Sequence, residues 1–219
     1  MKKATIRKTL DNLEFQIYKY NDTLRKISEI KELSSEEIED TFECYLLRIS
    51  AAWERFIEDI FIDSFNQNTT EFANHTWYKI NKNITRDNCK AILIGVGFLD
   101  FKSSSEIISF SKKILSKSNN PFLWVNKTFW KDMDEFLIIR NYLSHWSDKS
   151  KRSLKRMYKE NYKLNKFLKP GKFLRMMHKN GRNDYLGFYI ESMDFISKEV
   201  DSFFGLFQKQ LQQYLKENK

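Results

Sequence analysis

The chain has 219 residues, 41% hydrophobic and 16% aromatic, with a formal net charge of +9 and a sequence pI near 9.3. That is enough apolar material for one sizeable core without disulfides, and the charge favours an anionic partner, nucleic acid being the commonest. Cys44 and Cys89 are the only cysteines, which excludes a disulfide framework and a cysteine zinc site.

With 6 Gly and 2 Pro, the chain is poor in turn residues and favours long helices. Behind Met1-Lys2-Lys3 there is no apolar stretch, so no signal peptide is expected. The longest apolar run, Ala91 to Leu99, falls far short of a membrane span. The expectation is a soluble cytoplasmic protein with no membrane partner.

Ile6, Leu10, Leu13, Ile17, Tyr20, Leu24 and Ile27 recur by fours and threes, which predicts one long first helix with a packing seam. Ser34 to Glu37 fits a capping box opening the second helix. Its seam is Ile38, Phe42, Tyr45, Ile49, Trp53, Phe56 and Ile60, and the part from Ile49 to Ile62 should be the most buried. Glu54 and Glu58 share a face there. Such a pair can support acid/base work, but the favoured reading is a solvated stripe or ion pairs to neighbours.

Asn66 to Thr85 reads as a loop around one short helix, Glu71 to Lys79, with His75 exposed. Asp87 to Leu99 predicts a short apolar helix. Its Gly95 and Gly97 form no phosphate loop, since no strand precedes them and no Gly-Lys-Ser/Thr follows. Ser103 to Glu106 is a second capping box, opening a helix to about Ser116, and Lys117 to Lys127 is a break.

A helical run follows from Phe129 to Trp146. Asp132, Asp134 and Glu135 point to differing sides of it and read as surface or dipole partners, not metal ligands. Arg140-Asn141-Tyr142-Leu143-Ser144-His145 ends the run. With Arg140 at zero on a helical wheel, Ser144 falls at about 40°, Asn141 at about 100° and His145 at about 140°. Tyr142, Trp146, Ile139, Leu143 and Phe136 fall on the opposite, apolar arc. The polar arc thus carries a permanent cation suited to phosphate and the one side-chain type that titrates near neutrality.

After it comes the strongest charge run, Lys149, Lys151, Arg152, Lys155, Arg156, Lys159, Lys163, Lys166 and Lys169, interleaved with Tyr158 and Tyr162. It reads as an RNA-binding segment or as a solvated basic helix or loop. Pro170-Gly171 should stop it, and Lys172 to Tyr189, with Asn180-Gly181, reads as a short hairpin or irregular loop with His178 exposed at its tip. The last helix is expected from about Tyr189 to Lys216, its stripe being Met193, Ile196, Val200, Phe203, Phe207, Leu211 and Tyr214.

Arg140 to His145 resembles the R-x4-H motif of the HEPN superfamily, with the Asn that commonly follows its Arg. Ala51-Ala52-Trp53-Glu54-Arg55-Phe56-Ile57-Glu58-Asp59-Ile60 resembles the long second helix of its RiboL-PSP branch. The resemblance runs loosely from about Leu46 to Leu211, and only the Arg-His motif is specific. It implies a single all-α domain over 1–219: an up-and-down bundle with inserted short helices and a basic loop or hairpin before the last helix. It also implies a homodimer and a metal-independent endoribonuclease of a defence or toxin system, with no cofactor and with a possible antitoxin or defence partner protein.

The expected roles follow from side-chain chemistry. His145 is the acid/base group, and Arg140 holds the phosphate and stabilises the transition state. Asn141 orients His145 or donates to the phosphate, and Ser144 and Glu58 are supporting candidates. Lys149, Lys151, Arg152, Lys155 and Arg156 are the RNA-binding candidates. Leu137 and Ile138, beneath the polar arc, would be exposed on a monomer and buried by a two-fold partner. The rival reading is a non-catalytic helical module binding RNA, a nucleotide or a protein. In a third, a partner nucleotidyltransferase silences the protein. Toxins of that kind carry a Tyr two residues after the motif His; here that position is Ser147.

Overall fold

The structure, a computed structural model, describes residues 2–217 except 79, 81–83 and 96–98, and describes side chains from 6 to 205 apart from those positions and Ser28. Among the described residues every regular element is helical. The expected all-α class is therefore what the chain adopts.

Helix α1 (Lys2–Ser28) turns back into α2 (Ser35–Gln67). The predicted capping box is present: the Ser34 hydroxyl accepts the Glu37 N–H at 3.3 Å, and the Glu37 carboxylate accepts the Ser34 N–H at 2.8 Å. Ile6, Leu10, Leu13 and Ile17 are buried, and Tyr20, Leu24 and Ile27 pack at the edge of the core. Along α2 the middle is deepest, with Ile49, Ile60, Phe61 and Ile62 fully buried. Phe61 there centres an aromatic cluster with Phe101, Phe110 and Phe122.

Short helices α3 (Thr70–Thr76), α4 (Arg86–Ile94) and α5 (Ser104–Ile114) follow. His75 is exposed as expected. Lys79, Asn83 and Gly97 lie outside the described residues. Ser103 caps α5 by accepting the Glu106 N–H. The Glu106 carboxylate, however, takes the Lys102 N–H instead, so only half of that capping box forms. Two single 3₁₀ turns, Lys117–Asn119 and Pro121–Leu123, make the break.

Helix α6 (Lys127–His145) carries the motif and packs on α2 and on the last helix, α9 (Tyr185–Glu217). Since α1 also lies on α2 and α9, these four helices enclose the core, as their seams require. The side chains of Phe207, Leu211 and Tyr214 lie outside the described residues.

Between α6 and α9 the chain differs from expectation. The basic run is helical only in part: Lys149 to Lys159 lie on α7 (Asp148–Tyr162), where Leu154, Met157 and Tyr158 give a buried stripe against the core, and Lys163, Lys166 and Lys169 follow it outside any helix. Lys163, at φ 58°, ends it. Pro170-Gly171 opens a five-residue helix, α8 (Pro170–Leu174), that docks on α2. Glycine is required there, since a Cβ at Gly171 would run into the Glu39 carbonyl. The hairpin shrinks to one antiparallel bridge, Met177 to Asp184, and α9 begins already at Tyr185. His178 is half-buried, stacked on Phe188 at 3.8 Å between centroids.

The three acidic residues of α6 are not surface groups. Asp134 accepts the Ser104 N–H at 2.6 Å, at the start of α5. Asp132 accepts the Ser192 hydroxyl, and burial raises its carboxyl above the ordinary range. Glu135 is buried and accepts from Asn161, Tyr162 and Tyr189, tying α6 to α7 and α9. Leu137 is also buried and Ile138 packs at the core edge, so the apolar exposure expected beneath the motif is absent within one chain.

Candidate functional site

The last turn of α6 divides as the helical wheel requires, with one exception. Ile139, Tyr142 and Leu143 are buried, while Arg140 and Asn141 are half-buried and Ser144 and His145 exposed. The exception is Trp146, which caps the helix at φ 46° and is 71% exposed.

Arg140 is held from two sides. One terminal nitrogen of its guanidinium lies 2.5 Å from Glu54 Oε1, and the other donates to Asn141 Oδ1 at 3.0 Å. Asn141 therefore orients Arg140 rather than His145. Glu54 reaches it from α2, one residue after the fully buried Trp53, which fixes the direction of that helix face. Burial raises the Glu54 carboxyl above its ordinary range, with Asp100 adding to the effect and Arg140 opposing it.

Arg140 and His145 open onto a cleft of about 980 Å³, walled also by Arg48, Glu54, Arg55 and Glu58 of α2 and, on another side, by α1. Glu58 lies in the lining as a supporting group would, but it is ion-paired to Lys90 at 3.0 Å. Ser144 and Asn141 are not in the lining. At the cleft wall, Arg86 binds Asp59, which lines the cleft, and Asp63 together, its Nε 2.7 Å from Asp63 Oδ1. Thr9 adds a hydroxyl to Asp63, and Arg55 pairs with Asp59. Burial pushes the Asp63 carboxyl up against these pairings.

Comparison with protein-family models, with curated proteins and with solved structures finds no match for this chain. The site therefore rests on its own geometry.

Lys149, Lys151, Arg152, Lys155 and Arg156 are all exposed on α7, and none is in an ion pair among the described residues. None lines the Arg140–His145 cleft. Lys151 and Lys155 instead lie over the Phe167 ring, at 5.4 and 5.8 Å from its centroid. Sequence reasoning missed Glu54 as the partner of Arg140 and Arg48 as a further cation in the cleft. The Trp53-Glu54 pair was visible, but nothing local says which cation Glu54 meets. Among the described residues no group of three or more His, Cys, Asp or Glu is placed to hold a metal ion, and no helix is long and apolar enough to cross a membrane.

Proposed function

We propose that the protein is an endoribonuclease of a defence or toxin-type system that cleaves RNA without a metal. The observation that supports this most is the shared cleft: Arg140 and His145 face one space with a carboxylate, Glu54, already on the guanidinium. An entering phosphate competes with Glu54 for Arg140, and its bidentate match to the guanidinium favours the exchange. Glu54 is then free in the same cleft.

Cleavage uses the RNA's own 2′-hydroxyl. One of His145 and Glu54 takes its proton while the oxygen attacks phosphorus. The other returns a proton to the departing 5′-oxygen. Arg140 stabilises the charge that builds on the phosphoryl oxygens. The products are a 2′,3′-cyclic phosphate and a 5′-hydroxyl. In this reading the exposed cations of α7 hold the strand. The homodimer implied by the HEPN resemblance is a separate proposal that no longer has Leu137 and Ile138 behind it; the mass in solution tests it.

One observation favours the second reading, a non-catalytic binding module: Arg140 is already neutralised by Glu54. Incubating RNA with the protein in chelator and sequencing the ends decides between them. Cyclic phosphate ends that vanish with Arg140→Ala support the ribonuclease; intact RNA supports the binding module.

A further inference from the structure

The chain just after His145 carries groups that the cleft does not use. Trp146 is a bulky residue in the left-handed region, where such residues are disfavoured, and its ring is largely in water. Its position is not explained by burial. The ring leans on Tyr142 at 5.8 Å, and Tyr142 meets Phe167 edge-on at 5.7 Å. Phe167 in turn walls a second cavity of about 270 Å³.

That cavity is built by the end of α7. Lys163 reverses the chain, and the Leu164 N–H donates to the Tyr158 carbonyl at 3.1 Å. Asn165, Lys166 and Phe167 are thereby brought back beside Lys155 and Lys159. Lys155, Lys159 and Lys166 line the space with Leu164, Asn165 and the two aromatic residues Tyr158 and Phe167, and no Asp or Glu does. None of the three lysines is in an ion pair, among the described residues. The Arg140 cleft, by contrast, has carboxylates in its wall. Unopposed cations beside an aromatic ladder suit a chain of phosphates that carries exposed bases.

We infer that Trp146 and the Lys155–Lys159–Lys166 cavity form a seat for single-stranded nucleic acid, the lysines taking a backbone phosphate and the indole a base. A duplex keeps its bases stacked inside, so it offers the indole nothing. The choice of RNA as the strand rests on the ribonuclease reading; the seat itself does not require cleavage.

The test uses a 2′-O-methyl oligoribonucleotide, which lacks the attacking hydroxyl, so binding is read without cutting. Affinity is measured by fluorescence anisotropy for the full chain, with the single strand and with a duplex of the same sequence. Lys159→Gln with Lys166→Gln should weaken single-strand binding about tenfold and lower its salt slope by about 1. Lys112→Gln with Lys113→Gln removes the same charge from exposed positions on α5 and should do little. Trp146→Leu should cost about tenfold, and Trp146→Phe should restore most of it. All these side chains are exposed, so unfolding midpoints should be unchanged. Equal losses from the two lysine pairs, equal binding of the duplex, or a neutral Trp146→Leu would each overturn the seat. So would displacement of the strand by a nucleoside monophosphate at the same nucleotide concentration. A wild type that binds in the expected pattern yet never cuts RNA removes the ribonuclease reading and leaves the seat standing.

Discussion

The cleft and the outer face of α7 carry charge in opposite ways. Around the cleft most charges come in pairs, Arg140 with Glu54, Glu58 with Lys90, Arg86 with Asp59 and Asp63, while Arg48 and Asp100 line it outside any ion pair among the described residues. On α7 six exposed cations, Lys149, Lys151, Arg152, Lys155, Arg156 and Lys159, are in no ion pair among the described residues, Lys151 and Lys155 meeting only the Phe167 ring. Paired and half-buried charges are fixed in direction and little screened by salt, which suits chemistry at a defined atom. Unpaired exposed cations make a long-range field that salt weakens, which suits holding a strand.

The largest effect should come from Arg140→Lys. The charge remains, but a single ammonium cannot replace a planar fork held by Glu54 on one side and Asn141 on the other. Cleavage should fall on the order of 10³-fold while the salt dependence of RNA binding stays put. A variant cutting within tenfold of the wild type would mean that the paired geometry is irrelevant to the reaction.

Next in size is Arg86→Met. It leaves two buried carboxylates, Asp59 and Asp63, without their shared cation and should lower stability by about 3 kcal/mol, read from denaturant unfolding. An unchanged midpoint would show that this network contributes nothing to stability.

Changing Lys151, Arg152, Lys155 and Arg156 together to Gln should weaken RNA binding about tenfold and flatten its salt slope by up to about 3. The fold should survive, since all four are exposed. The same affinity and slope would return α7 to a merely solvated helix.

The smallest effect concerns Glu54, whose carboxyl burial holds above its ordinary range. As pH rises through the ordinary carboxyl range, the unfolded chain ionises this group first, so the folded state loses stability until its own, higher value is passed. Glu54→Gln has no such loss. Its stability deficit against the wild type should therefore shrink between about pH 4 and about pH 6. A deficit that widens over that window would show that Arg140, not burial, governs the group.

Much of the fold was legible because it is written in local pattern. The Ser34–Glu37 capping box, the four-and-three seam of α1 and the apolar arc of α6 each need only a few neighbouring residues. What was not legible depends on residues far apart. Glu135 looked like a surface acid because Tyr162 and Tyr189, which bury and bind it, lie in other helices. Leu137 and Ile138 looked exposed because the wheel of α6 alone cannot show how wide a face the core covers. The basic run looked like a loop or solvated helix because its charges mask the Leu154–Met157–Tyr158 stripe that anchors it. In the site, Arg140 and His145 stood out by type and spacing, but the choice of Glu54 from α2 as the partner of Arg140 is made by tertiary packing.

In the proposed reading the cleft cuts and α7 holds. It is tested most directly by His145→Ala, measured in chelator under single-turnover conditions at saturating RNA, with affinity measured on the same strand. The account predicts that cleavage is lost while affinity and salt slope match the wild type. A His145→Ala chain that cuts at the wild-type rate, or a wild type that binds RNA and leaves it whole, would contradict it.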